Sequence, residues 1–164
     1  MKKQLRIVLA SLSLTALSVL NATAADLFKI SGKNLEGSAV SVTVTDETLL
    51  QQGMTEIKTK LVSQGDTVST VRGLEIRPLL KSLDLQGNNL YVEALDGYAL
   101  DVPRADIEKY KVLLAVEVDG KRLTVREKGP AWVVYPVSDH KELDAPVFEA
   151  RSVWQIKSIL IGNK

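Results

Sequence analysis

Cysteine is absent from all 164 residues of this chain, and its absence removes several classes of protein at once. Without cysteine there is no disulfide framework, no thiolate metal site and no thiol nucleophile. Small exported domains often depend on disulfides. An exported domain of this composition therefore has to be held together by side-chain packing alone.

Histidine is nearly as scarce, since His140 is the only one in the chain. A single imidazole does not make a metal site, and the run from Asp139 to Glu142 is typical of a polar surface loop. Ser138 lies too close to His140 along the chain to indicate a catalytic triad. We interpret this histidine and the acidic residues around it as a solvated loop.

Long hydrophobic runs are also few, and the one at the N-terminus, Ile7 to Leu20, is shorter than the roughly 20 residues of a membrane-spanning helix. It follows a basic start, Met1 to Arg6, and precedes the small residues Ala22 to Ala24, which together make the three parts of a secretory signal peptide. We predict cleavage after Ala24, giving a signal peptide at 1–24 and a mature domain at 25–164. The alternative is an uncleaved N-terminal anchor.

The mature chain has no excess of basic residues. Losing Lys2, Lys3 and Arg6 with the signal peptide leaves 18 basic residues against 20 acidic ones, a net charge of −2. Nucleic-acid binding needs a clustered basic surface, so nucleic acid is not an expected partner. About 140 residues suffice for one domain with its own core.

Alternation of apolar and polar residues predicts that strands dominate the mature chain. Two pairs of these strands flank Asp96-Gly97 and Asp119-Gly120, dipeptides that favour tight hairpin turns and hence antiparallel pairing. The predicted strands are Val40 to Val44, Ile57 to Val62, Val68 to Val71, Leu90 to Ala94, Tyr98 to Val102, Val112 to Val118, Lys121 to Val125, Trp132 to Val137 and Val153 to Ile161.

Helical signals are short. Asp46 to Gln52 begins with acidic residues and stops at a glycine, Glu75 to Leu83 has apolar residues on one face, and Pro103 to Tyr110 opens with proline. The fold class is therefore α+β: a single domain of mixed, largely antiparallel sheets with short helices.

Four segments resemble parts of one known family. They are Gly129 to Pro136, Ala150 to Ile159, Asp96 to Pro103 and Leu113 to Leu123. The chain resembles the molybdopterin-binding, sulfite-oxidase-like domain over roughly Gly73 to Ile161. The resemblance implies the sulfite-oxidase-like fold and a binding site for a pterin.

The chain departs from the enzymes of this family at the metal. Those enzymes hold molybdenum through one cysteine thiolate, which belongs in the region corresponding to Lys60 to Arg72. That region offers only the hydroxyls of Ser63, Thr67, Ser69 and Thr70, and a hydroxyl is a poor substitute for a thiolate. We therefore expect no molybdenum and no oxygen-atom transfer.

Two tryptophans are the strongest candidates for ligand contacts. Trp132 and Trp154 match family positions that usually hold an arginine and a lysine near the cofactor. A pterin is a flat bicycle similar to guanine, and stacking of an aromatic side chain on a base contributes about 1–3 kcal/mol. The alternative, that either tryptophan belongs to the core, stays open for Trp132 above all.

Polar residues beside the tryptophans complete the expected site. The resemblance places Arg151 and Ser152 next to the pterin, although a salt bridge from Arg151 to Glu149 or Asp144 is an equal alternative. Glu127 and Lys128 begin the loop that holds a cofactor-contacting polar residue in the enzymes, and the Asp96 carboxylate is a further candidate beside its role in a turn. In a strand, residues two apart have their side chains on the same face. If this segment is a strand, Ser152 and Trp154 would therefore face the same cleft.

The resemblance extends to small, cysteine-free, periplasmic pterin-responsive regulators of the same fold. It implies a non-enzymatic, periplasmic pterin-binding protein whose partner is the periplasmic domain of an inner-membrane diguanylate cyclase or phosphodiesterase, which makes or degrades cyclic di-GMP. Two alternatives remain. One is a molybdopterin-dependent oxidoreductase subunit, and the other is a ligand-free adaptor whose pocket is filled by its own tryptophans.

Overall fold

The computed structural model describes residues 25–61 and 64–163. The predicted signal peptide, its cleavage point and Ser63 lie outside these ranges. Within them no helix is both long enough and apolar enough to cross a membrane.

The first sheet has five strands in the order β2-β1-β10-β5-β6. β1 and β10 pair in parallel, whereas the other neighbours pair antiparallel. This arrangement brings the last strand of the chain into the middle of the sheet, between the first strand and the β5–β6 hairpin. The bounds are β1 Asp26–Lys33, β2 Ala39–Thr45, β5 Asn89–Ala94, β6 Ala99–Pro103 and β10 Ile156–Gly162.

The second sheet is entirely antiparallel and runs in the order β3-β4-β7-β8, with β9 also paired to β7. In the β7–β9 register, Ala115 lies opposite Trp132 and Leu113 opposite Val134. The bounds are β3 Thr55–Lys60, β4 Val68–Glu75, β7 Leu113–Val118, β8 Lys121–Arg122 and β9 Trp132–Val134.

In the part of the chain that the structure describes, four short α-helices and two 3-10 turns join these strands. Helix α1 begins with a capping box in which Thr45 and Thr48 satisfy each other's backbone N–H groups, and α4 has a proline in its first turn. The helices are α1 Asp46–Gln52, α2 Ile76–Ser82, α3 Arg104–Lys109 and α4 Pro146–Arg151, and the 3-10 turns are Val125–Glu127 and Lys141–Leu143.

The main core lies between the two sheets. Phe28, Ile30 and Ile159 of the first sheet share one buried cluster with Leu114 and Val133 of the second. A smaller cluster covers the opposite face of the second sheet, where Leu113, Ala115 and Trp132 pack together. Residues 113–116 of β7 are buried on both faces, and this part of the strand is accordingly a continuous apolar run that ends before the partly buried Glu117.

The α+β class and the largely antiparallel pairing are confirmed, whereas several element bounds are wrong. The predicted strand Val153 to Ile161 begins only at Ile156, and the one at Trp132 to Val137 ends at Val134, two residues before Pro136. Lys121 to Val125 is cut to two residues by the 3-10 turn that follows. β1 and α4 were not predicted from the sequence.

Core packing predicts a large and local cost for truncation. Leu114 is 0 % exposed and lies in β7 between β4 and β9. Leu114→Ala is expected to lower the free energy of unfolding by about 2–5 kcal/mol, because it leaves a cavity between the sheets. Urea denaturation measures this loss.

Leu50→Ala is the matched control, since Leu50 is 80 % exposed on α1. It should change the free energy of unfolding by no more than about 0.5 kcal/mol. Equal losses in the two variants would contradict the placement of the core between the sheets.

Candidate functional site

The site is built where residues 152–156 run alongside residues 128–133. The indole Nε1–H of Trp132 donates to the carbonyl of Ser152 at 3.0 Å, and the amide of Val133 donates to the carbonyl of Val153 at 2.8 Å. These two bonds hold residues 152–153 against β9 before β10 begins.

Two further bonds continue this pairing on the other side of Trp154. The amide of Gln155 donates to the carbonyl of Lys128, and that of Ile156 donates to the carbonyl of Ala131. Gln155 has a left-handed φ of 52°, which interrupts the strand geometry at this point. Residues 152–155 therefore form an irregular segment before β10, and Trp154 lies on the outer side of the bend in this segment.

A groove of about 340 Å³ opens beside Trp154. It lies between the β5–β6 turn, helix α4 and the residues that follow this helix. Its volume falls within the range of small-molecule sites. The lining residues are Ala94, Asp96, Tyr98, Glu149, Ala150, Ser152, Val153 and Trp154.

The two tryptophans have different environments. Trp154 is 42 % exposed and forms part of the groove wall, whereas Trp132 is 3 % exposed and belongs to the smaller core cluster. Their rings meet edge to face, with centroids 6.5 Å apart and an interplanar angle of 86°. The structure therefore assigns Trp132 to the core and Trp154 to the groove.

Lys128 lies in the angle between these two rings. Its Nζ atom is 4.2 Å from the Trp132 ring centroid and 4.5 Å from that of Trp154. The atom is buried and has no hydrogen-bond partner among the described residues. Burial lowers the pKa of this ammonium from its ordinary value. Lys128 does not line the groove.

Arg151 points to a different partner from those considered on sequence grounds. Its guanidinium donates to Oδ2 of Asp106 at 2.9 Å, and the hydroxyl of Tyr135 donates to the same oxygen at 2.9 Å. Burial, with the Asp106 carboxylate second, raises the pKa of Tyr135 far above its ordinary value. Arg151 thus secures the end of α4 and does not line the groove.

Ser152 does line the groove, although the reason differs from the prediction. Its Oγ donates to the carbonyl of Phe148 at 2.9 Å and the residue is buried. Ser152 and Trp154 are not on one face of a strand, because residues 152–155 do not form one. Both reach the groove through the bend described above.

Of the two remaining predicted contacts, one lines the groove and the other does not. Asp96 lines the groove, and its Oδ1 also accepts the amide of Tyr98 at 2.9 Å, which fixes the β5–β6 turn. Glu127 is exposed outside the groove, and its carboxylate accepts the hydroxyl of Thr124. Of the seven predicted residues, three line the groove: Asp96, Ser152 and Trp154.

Sequence reasoning missed five groove residues, of which Tyr98 and Glu149 carry polar groups. Tyr98 belongs to the matched segment that begins at Asp96, so its position after the turn was a usable signal. Glu149 is on α4, whose first-turn Pro146 was the signal for a helix that the prediction left out. Glu149 therefore supplies the groove with a carboxylate, a role that was expected of Glu127.

Two of the hydroxyls in the region expected to correspond to the missing cysteine are engaged locally or exposed. Ser69 donates to Oε1 of Gln64 at 2.8 Å, and Thr67 is exposed at the surface. Across residues 25–61 and 64–163, no three histidine or acidic side chains are grouped so that they would hold a metal ion.

Comparison with models of known protein families and with curated proteins finds no match to this chain.

The Asp106 carboxylate should be a strong local determinant of stability. Asp106→Asn removes the charge that pairs with Arg151 and leaves Arg151 and Tyr135 competing for a neutral amide oxygen. We expect the free energy of unfolding to fall by about 1–3 kcal/mol, because both partners are largely buried. Chemical denaturation provides the measurement.

Glu108→Gln on the same helix is its control. Glu108 forms an exposed i,i+4 pair with Arg104, so its loss should cost less than about 0.5 kcal/mol. If Asp106→Asn is no more destabilising than Glu108→Gln, the Asp106–Arg151 pair does not secure α4.

Lys128 gives a pH-dependent prediction with a defined sign. Its pKa in the folded protein is below the ordinary 10.5, so the unfolded chain binds more protons between these two values. The contribution of Lys128 to stability therefore rises with pH across this window. Lys128→Met lacks this contribution, and its stability relative to the wild type should fall as pH increases from about 7 towards about 10.5.

Urea denaturation of both proteins across this pH range gives the difference between their free energies of unfolding. The contributions of the other titrating groups are common to both proteins and cancel in this difference. Lys157→Met, at an exposed lysine paired with Glu93, is the control. A stability difference that is constant with pH, or that changes in the opposite direction, would show that Lys128 is not buried in its charged form.

Proposed function

We propose that this chain is an exported, non-enzymatic pterin-binding protein, and that the groove beside Trp154 holds the pterin. The observation that carries the proposal is a half-exposed indole beside two carboxylates in one groove of suitable volume. The resemblance of the surrounding segments to the pterin-binding end of the sulfite-oxidase-like domain supports the same ligand.

The wall and rim of the groove match the two parts of a pterin. The ring system is flat and stacks well on an indole such as Trp154. Its edge carries an amino group and a ring N–H, which are hydrogen-bond donors. Carboxylates such as those of Asp96 and Glu149 are good acceptors for these donors. The phenol of Tyr98 adds a second aromatic surface at the rim.

The charges around the groove favour a free pterin over molybdopterin. No lysine or arginine is among the residues that line it. Arg151 is paired with Asp106, and the ammonium of Lys128 is buried between the indoles. A phosphate ester would therefore meet carboxylates without a cation, and a dithiolene-bound molybdenum would find no thiolate, since the chain has no cysteine. These residues do not fit the metal-carrying cofactor.

A pterin-binding protein without catalytic groups is best suited to sensing. We place it in the periplasm, with the periplasmic domain of an inner-membrane diguanylate cyclase or phosphodiesterase as its partner. Both parts of this assignment rest on the predicted signal peptide and on the likeness to pterin-responsive regulators of cyclic di-GMP.

Removing the indole should weaken binding without unfolding the protein. Trp154→Ala is expected to reduce the affinity for pterin by about 1–3 kcal/mol, which is roughly five- to 150-fold. Trp154 is 42 % exposed, so the melting temperature should change by only a few degrees. Titration calorimetry beside a thermal melt measures both quantities.

Tyr91→Ala is the matched control, because Tyr91 is an exposed aromatic residue on β5 outside the groove. It should leave the affinity unchanged. Neopterin and its phosphate ester, titrated into the wild type, test the charge argument, and the ester should bind more weakly. Unchanged affinity in a folded Trp154→Ala variant would eliminate the stacking role.

A further inference from the structure

We propose that Lys128 is a positioning residue that holds the Trp154 indole in place as the wall of the groove, without touching the ligand itself. This inference rests on the proposed function, because the groove is the pterin site of that proposal. It changes the role expected for Lys128, which the sequence placed among the residues in direct contact with the pterin.

The geometry around the ammonium carries the proposal. Nζ of Lys128 lies 4.2 Å from one indole centroid and 4.5 Å from the other, and the two rings are almost perpendicular. A cation at these distances over a ring face is attracted by the ring quadrupole. One ammonium therefore binds both rings at once and fixes the angle between them.

The two indole rings are the main contacts of the Lys128 ammonium. Nζ is buried, and no described residue supplies it with a hydrogen-bond acceptor. A buried ammonium without an acceptor is costly, and its attraction to the two indole rings offsets part of this cost. The charge thus resists movement of the Trp154 ring.

The backbone fixes Lys128 in register with Trp154. Lys128 ends the 3-10 turn at 125–127 with a left-handed φ of 72°, and its carbonyl accepts the amide of Gln155, the residue after Trp154. At Gly129 any Cβ would collide with the backbone of Leu123. The loop therefore lies close against the chain and cannot carry Lys128 away from the indoles.

The two rings differ in how firmly they are held. Trp132 is buried and its Nε1–H is bonded to Ser152, so it is a fixed support. Trp154 is half exposed and needs a second contact to keep its orientation. Lys128 lies over the Trp154 ring and does not line the groove, so it supports the indole from outside the proposed ligand site.

A double-mutant cycle separates positioning from direct contact. Pterin affinity is measured by calorimetry for the wild type, Lys128→Met, Trp154→Ala and the double variant. Lys128→Met keeps the side-chain length and removes the charge, and it should weaken binding about three- to 30-fold, the range of a partly or fully desolvated cation–π contact. In the Trp154→Ala background the same change should alter affinity by less than about twofold, because coupling is expected only between residues that act together.

Two outcomes of the cycle would overturn the proposal. An equal loss in both backgrounds would mean that Lys128 contacts the ligand directly, and no loss in the wild-type background would mean that it has no role in binding. Lys128→Arg, which keeps the charge, should restore most of the affinity. Lys157→Met controls for the loss of a positive charge elsewhere.

A ligand-free measurement keeps the inference testable if the wild type does not bind pterin. Nitrogen relaxation of the Trp154 indole N–H should show greater mobility in Lys128→Met than in the wild type or in Lys128→Arg, with the Trp132 indole unchanged. Equal mobility of Trp154 in all three proteins would overturn the positioning role. Failure of pterin binding alone would reject the proposed function and leave this result standing.

Discussion

The hydrogen bond from the Trp132 indole to the carbonyl of Ser152 is the constraint around which the rest of the site is arranged. It joins β9 to the segment between α4 and β10 and lies in the buried part of the molecule. With the amide bonds on either side, it sets where α4 ends and where Trp154 emerges. The groove exists because this segment bends outwards rather than continuing as a strand.

Two charged groups complete the frame of this segment. The carboxylate of Asp106 binds both Arg151 and Tyr135 and so fixes the end of α4. The ammonium of Lys128 lies between the two indoles. In each case a residue expected to contact the ligand, Arg151 or Lys128, serves the protein structure instead. The groove keeps an aromatic wall and an acidic rim.

Much of the fold could be predicted because its elements follow local rules. The turn at Asp119-Gly120 has positive φ at both positions, as the preference for Asp-Gly in tight hairpins requires. The segment Val112 to Val118 was predicted as a strand, and it forms β7 over Leu113–Val118. These features depend on neighbours in the chain.

The site was harder to predict because it depends on contacts between distant residues. The positive φ of Gln155 could not be predicted from its residue type, because glutamine rarely adopts this conformation. It coincides with bonds from Gln155 to Lys128 and Val125, far away in sequence. Strand alternation therefore failed for Ser152 and Trp154, and the pairing of Arg151 with Asp106 spans 45 residues. The segments quoted for the family resemblance include Asp96 and Trp154, whereas only the folded chain decides which side chains line the groove.

The proposed pterin site is the groove between the β5–β6 turn and α4, against Trp154. Titrating pterin into isotopically labelled protein and following the amide and indole N–H resonances tests it most directly, because the chain has only two indoles. Our account predicts that the Trp154 indole and the amides near Asp96 and Glu149 shift together with one affinity. It also predicts that the Trp132 indole, which is buried and bonded to Ser152, shifts much less. Saturable shifts confined to another part of the molecule, or none at all, would contradict the account.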